Sequence, residues 1–195
     1  MAGRRRGARA GRGWDAAPPR AAAQPAGDRE PAEHAREICL RQLAVRPRTR
    51  AELTTALRRN EIPDEVIAQI LDRYTEVGLI DDEAFAQAWV TSRHHGKGLS
   101  RRALASELRQ RGVDDDCAAA ALDELDPGTE AATARALVDR KLRSARGDAQ
   151  SLFRRLVGML ARKGYPASVA FAVVKEALAD RDAAIEDLDP AEWVD

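Results

Sequence analysis

The chain has 195 residues, enough for one ordinary domain or a few small modules with a real core, and its 32 Lys and Arg balance 32 Asp and Glu. A net charge of zero argues against a uniformly basic nucleic-acid binder or a membrane-surface protein, but it is a cancellation: residues 1–30 carry seven Arg against three acids, and residues 180–195 carry seven acids against one Arg. Alanine fills 39 positions and aromatic residues only eight, a balance of strong helix formers over strand formers that predicts an all-α protein.

Residues 1–31 are Ala, Arg, Gly and Pro around a lone Trp14, with no apolar period, and read as a disordered basic tail. Such a tail can touch nucleic acid or be a plain solvated extension; both readings stay open. From Pro31 the helix signals begin. Ala35, Ile38, Cys39, Gln42 and Leu43 keep helical spacing over 32–45, and Pro47 ends the run. Thr49 with Glu52 forms a capping box ahead of a helix that buries Leu53 and Leu57. Pro63 fits the first turn of a third helix carrying Val66, Ile67, Ile70, Leu71 and Tyr74, which Gly78 can close.

The same grammar then recurs. A helix near 82–95 presents Phe85, Trp89 and Val90; Ser100 caps one carrying Leu104 and Leu108, closed by Gly112; Asp114 caps another with Cys117, Ala121 and Leu122. Asp126-Pro127-Gly128 reads as a turn. A third cycle predicts helices near 130–145, 149–163 and 167–179, the middle one carrying Leu152, Phe153, Leu156 and Leu160 before Gly164.

Laid over one another, the cycles match. Leu53, Leu104 and Leu156 correspond, as do Leu57, Leu108 and Leu160; Ile62, Val113 and Tyr165; and Val66, Cys117 and Val169. A period near 50 residues implies stacked units, each too small to bury its apolar face alone. The expectation is an all-α, elongated and curved array of three tandem three-helix repeats at 32–80, 82–126 and 129–180, between the tail at 1–31 and an acidic C-terminal tail at 181–195.

Nothing in the sequence argues for catalysis or a cofactor. Phosphate loops, nucleophile elbows and dinucleotide fingerprints are missing. Asp81-Asp82-Glu83 opens a helix, where carboxylates cap free N–H groups, so capping explains it better than a metal. His94-His95 ends that helix with no further ligand at zinc spacing. Cys39 and Cys117 sit in apolar helical patterns and read as reduced core thiols. No apolar run nears a membrane span and no h-region follows the basic N-terminus, so a soluble, cytoplasmic protein is expected.

Charge is distributed in blocks. Lys97, Arg101, Arg102, Arg109 and Arg111 face one acid between 97 and 112, while Arg140, Lys141, Arg143, Arg146, Arg154, Arg155, Arg162 and Lys163 face one acid between 140 and 163. The stretch 64–87 is the reverse, seven acids to one Arg. Basic helices in successive repeats could line one side of the array against a phosphate backbone or an acidic protein groove. Ordinary solvated faces are the competing explanation, since 28 of the 32 basic residues are Arg. Apart from Phe153 the basic stretches lack stacking aromatics, which disfavours base-specific reading of single strands.

The run Val77-Gly78-Leu79-Ile80-Asp81-Asp82-Glu83-Ala84-Phe85-Ala86 resembles the hallmark joining the first two repeats of the RecX regulatory proteins. Leu53-x3-Leu57, Arg111-Gly112-Val113 and Lys163-Gly164-Tyr165-Pro166 also resemble that family, over about 35–180. The resemblance implies a negative regulator of the RecA recombinase that binds RecA and its filament on single-stranded DNA. It would act without a cofactor, as a monomer, and suppress ATP hydrolysis, strand exchange and co-protease activity. Under it, Lys97, Arg101, Arg102, Arg109, Arg111, Arg140, Lys141, Arg143, Arg154, Arg155, Arg162 and Lys163 are the expected partner surface, and Gly78, Leu79, Ile80, Asp81, Asp82, Phe85 and Ala86 the structural hallmark. A weak direct contact with DNA is kept open. The alternative is a helix-turn-helix DNA-binding protein that acts independently of RecA.

Overall fold

The computed structural model describes residues 30–186, and every regular element among them is a helix. Helices α1 (Pro31–Leu43), α2 (Arg50–Arg58) and α3 (Asp64–Glu76) pack on one another, as do α4 (Asp82–Lys97), α5 (Arg101–Gln110) and α6 (Asp115–Asp123). The third trio is α7 (Pro127–Leu142), α8 (Ala149–Arg162) and α9 (Ala167–Glu186). Both terminal segments, 1–29 of the basic tail and 187–195 of the acidic one, lie outside the described residues.

Local chemistry sets the helix starts. The side chains of Thr49, Ser100 and Asp148 accept the backbone N–H three residues on, at the head of α2, α5 and α8. Asp81 does the same for Ala84 at 2.8 Å, the role its position predicts. Two expectations need correction. Asp126-Pro127-Gly128 is not a separate turn: Asp126 caps the Thr129 N–H at 3.0 Å and Pro127 opens α7, because proline is well placed where a helix N–H has no partner. The last helix continues past 179 to Glu186, since Arg181 through Glu186 hold no residue that would stop it.

Each trio owns a separate hydrophobic core. The first gathers Ile38, Cys39, Leu53, Leu57, Leu71 and Tyr74; the second Phe85, Val90, Leu104, Leu108 and Leu122; the third Val138, Leu152, Leu156, Leu160 and Val174. The positions matched by the sequence period are matched in space. The six Leu-x3-Leu leucines are all buried, and Val66, Cys117 and Val169 all sit half-buried at the edge of their own core. Tandem three-helix repeats are therefore the architecture.

Neighbouring repeats join by one geometry used twice. At the first junction Thr49 Oγ1, at the head of α2, donates to the Arg111 carbonyl at 2.7 Å, where α5 ends. At the second, the Ser100 N–H at the head of α5 donates to the Lys163 carbonyl at 3.0 Å, where α8 ends. A carboxylate from the following repeat receives the next N–H in each case: Asp82 takes Arg50 N–H at 2.9 Å, and Glu130 takes Arg101 N–H at 3.0 Å. The closing turns at Gly112 (φ 71°) and Gly164 (φ 91°) touch the preceding repeat, so a Cβ on Gly112 would land on Ala51 and one on Gly164 would lie 2.5 Å from Ser100 Oγ. The equivalent position in the first repeat is Glu61, also at positive φ (59°). Among the described residues no preceding repeat packs there, so the position has room for a side chain.

Candidate partner-binding surface

The hallmark run is the hinge of the first junction. Gly78 (φ 72°) closes α3, with Leu79 N–H donating to the Tyr74 carbonyl at 2.8 Å. Ile80 then turns into the first core, Asp81 caps α4, Asp82 reaches Arg50 across the junction, and Phe85 and Ala86 enter the second core. Leu79 is left about half exposed. Burial pushes the Asp82 carboxyl above its ordinary value, against the opposing pull of the Arg50 N–H and its charge.

Of the twelve basic residues singled out, three are engaged inside the chain. Arg101 donates to the Leu122 carbonyl at 2.7 Å and pairs with Asp123. Arg111 bonds Glu52 at 2.5 Å across the first junction and stacks on Trp89, its Cζ 3.7 Å from the ring centre. Lys163 donates to the Lys97 carbonyl across the second junction. Burial, then the charges of Arg140 and Lys97, push the Lys163 amine below its ordinary value. Lys97, Arg140 and Lys163 thus converge from α4, α7 and the end of α8.

The other nine, Lys97, Arg102, Arg109, Arg140, Lys141, Arg143, Arg154, Arg155 and Arg162, are exposed, and no carboxylate partner is found for any of them among the described residues. By contrast Arg135 is tied to Asp139 at 2.9 Å and to Asp180 at 2.7 Å, locking α7 to α9. Charge that serves the fold is paired; charge on the exposed faces of the second and third repeats is not. Cations that hold nothing in the fold are available to anionic groups brought within roughly a Debye length.

Two residues to which the sequence pattern gives only local roles hold the junctions. His94 is buried between repeats, with Nδ1 2.9 Å from the Leu99 carbonyl and Nε2 2.8 Å from Thr133 Oγ1. A carbonyl only accepts, so Nδ1 carries the proton. Glu52 receives Arg46 at 3.2 Å, Arg48 at 3.7 Å and Arg111 at 2.5 Å. Its capping-box spacing pointed to a local role, and nothing in that spacing announces the second.

Among the described residues no helix is long and apolar enough to cross a membrane. Models of the first, second and third three-helix domains of RecX match residues 35–73, 81–122 and 129–174 in order. The regulatory protein RecX of Thermobifida fusca (strain YX) is 61% identical over 145 residues, covering 74% of this chain and 78% of its own length. That of Streptomyces coelicolor (strain ATCC BAA-471 / A3(2) / M145) is 57% identical over 151 residues, covering 77% and 80%. The crystal structure of RecX from Lactobacillus salivarius superposes with a TM-score of 0.67 at 20% identity, over 75% of this chain and 96% of that one.

Proposed function

The chain belongs to the RecX family of regulatory proteins, and from that membership we propose that it is a non-enzymatic negative regulator of the RecA recombinase. It binds RecA and the RecA filament on single-stranded DNA, and lowers ATP hydrolysis, strand exchange and co-protease activity. The observation that carries this reading is the ordered match of all three repeats, together with nine exposed cations on the second and third repeats that have no carboxylate partner among the described residues.

The physics is that of a clamp on a polymer. Repeats that meet only their neighbours present an extended surface, which can touch more than one protomer of a helical filament at once. Each added contact is intramolecular once the first has formed, so individually weak charge pairs sum to useful affinity. Lys97, Arg140 and Lys163 at the second junction, with Arg154, Arg155 and Arg162 on α8, form the anion-facing part of that surface. Any direct contact with DNA goes to phosphates and is steeply salt-dependent.

A strand-exchange assay between circular single-stranded and linear duplex DNA tests the reading. Adding the chain to preformed filaments should lower the yield of joint molecules at near-stoichiometric ratios to RecA. Undiminished exchange, together with tight sequence-dependent binding to duplex DNA alone, would instead identify a DNA-binding protein that acts independently of RecA.

A further inference from the structure

Between the first and second repeats lies a groove of about 600 Å³ that is distinct from the basic faces of the second and third repeats. Leu43, Leu79, Phe85, Ala88 and Trp89 line it, and Arg46, Arg48 and Arg93 stand at its rim against a single carboxylate, Asp81. Leu79 is half exposed although it lies between the closing glycine of α3 and a core isoleucine. Half-exposed Leu79 beside Ala88 and Trp89 gives the groove an apolar floor that a partner's apolar side chain would cover.

The electrostatics say what fits. Arg46, Arg48 and Arg111 share Glu52, and Arg93 pairs with Glu107 at 3.5 Å, so with Asp81 at the rim four guanidinium groups meet three carboxylates, an excess of one positive charge. The Arg48 Nε is fully buried and, among the described residues, has no hydrogen-bond partner. That donor is closed off from the groove, so an incoming carboxylate would meet the outer guanidinium nitrogens of Arg48, whose side chain is partly exposed. A nucleobase fits less well. The Trp89 ring is already covered by Arg111 at 3.7 Å and Arg93 at 4.1 Å, and it stacks on Phe85 at 5.6 Å.

We propose that this groove docks an acidic segment of the RecA protein, with an apolar side chain seated against Leu79 and Phe85 and flanking carboxylates on Arg46, Arg48 and Arg93. The proposal rests on RecA being the partner, and it adds a protein contact on the first junction, separate from the basic faces of the second and third repeats.

Its test is the binding of the full chain, fluorescently labelled, to RecA filaments formed on poly(dT), measured by anisotropy. Leu79→Asp and Ala88→Glu place a carboxylate on the groove floor at exposed positions, so circular dichroism should remain native. Each should weaken filament binding about tenfold or more, whereas Leu79→Met stays close to the native chain. Binding to poly(dT) without RecA should not change. Native affinity in both Asp and Glu variants would overturn the groove assignment while leaving the RecA reading intact. Equal weakening on poly(dT) alone would make the occupant a nucleic acid and overturn it as well. Failure of the unaltered chain to bind filaments would remove the RecA reading and this proposal together.

Discussion

Gly112 and Gly164 combine two demands that Gly78 separates. All three have positive φ, but a Cβ on Gly78 meets nothing within 4 Å, whereas on Gly112 or Gly164 it collides with the preceding repeat. Gly78→Ala should therefore cost only the left-handed penalty, about 1–2 kcal/mol, and Gly112→Ala or Gly164→Ala about 2–4 kcal/mol once overpacking is added. Chemical denaturation separates the two classes; equal losses would contradict the close approach. Glu61 gives the converse prediction. Glu61→Gly relieves the strain at a position with no repeat against it among the described residues and should stabilise by up to about 1 kcal/mol. The thiols also differ. Burial pushes Cys39 up to about 11, and Cys117 is raised too but only half-buried. Maleimide at neutral pH should label Cys117 well before Cys39, and mass spectrometry over a time course would show equal rates if Cys39 were not enclosed.

Helices were legible where their signals are local. Thr49, Ser100 and Asp114 each announce a start three residues or fewer from the N–H they cap, and Leu-x3-Leu needs only one helical turn to mark a buried face. Contacts between repeats were not legible, because Arg111 finds Glu52 across 59 residues and nothing in either neighbourhood names the other. The Asp81-Asp82-Glu83 run shows both cases. Asp81 caps its own helix as spacing predicts, while Asp82 caps α2 from the next repeat. Asp82→Ala should cost about 1 kcal/mol, since the Arg50 N–H loses its acceptor, and Asp82→Asn less because an oxygen remains. The pH dependence has a definite sign. A carboxyl held above its ordinary value binds its proton more tightly folded than unfolded, so its contribution to stability falls as pH rises from that ordinary value through the raised one. Urea titrations at stepped pH should show that decline in the native chain and a flatter profile in Asp82→Asn.

Across the whole molecule, charge sorts by what it holds. Arg50 with Asp72 and Arg101 with Asp123 occupy equivalent places in the first two repeats, and Arg135 ties α7 to α9 in the third. Exposed cations on repeats two and three lack such partners among the described residues, so removing them should spare the fold. Converting Arg154, Arg155, Arg162 and Lys163 together to Glu should leave helicity near native, with a small loss from the Lys163 contact at the second junction, and weaken inhibition of RecA about tenfold or more. Unchanged inhibition would move the contact surface elsewhere. Net neutrality hid this arrangement, because the acids of 64–87 and of the C-terminus cancel cations that lie elsewhere along the chain. The most direct measurement is the steady-state ATPase of RecA on single-stranded DNA, with and without this protein. Near-stoichiometric addition should suppress hydrolysis; an unchanged rate across that range would contradict the proposed function.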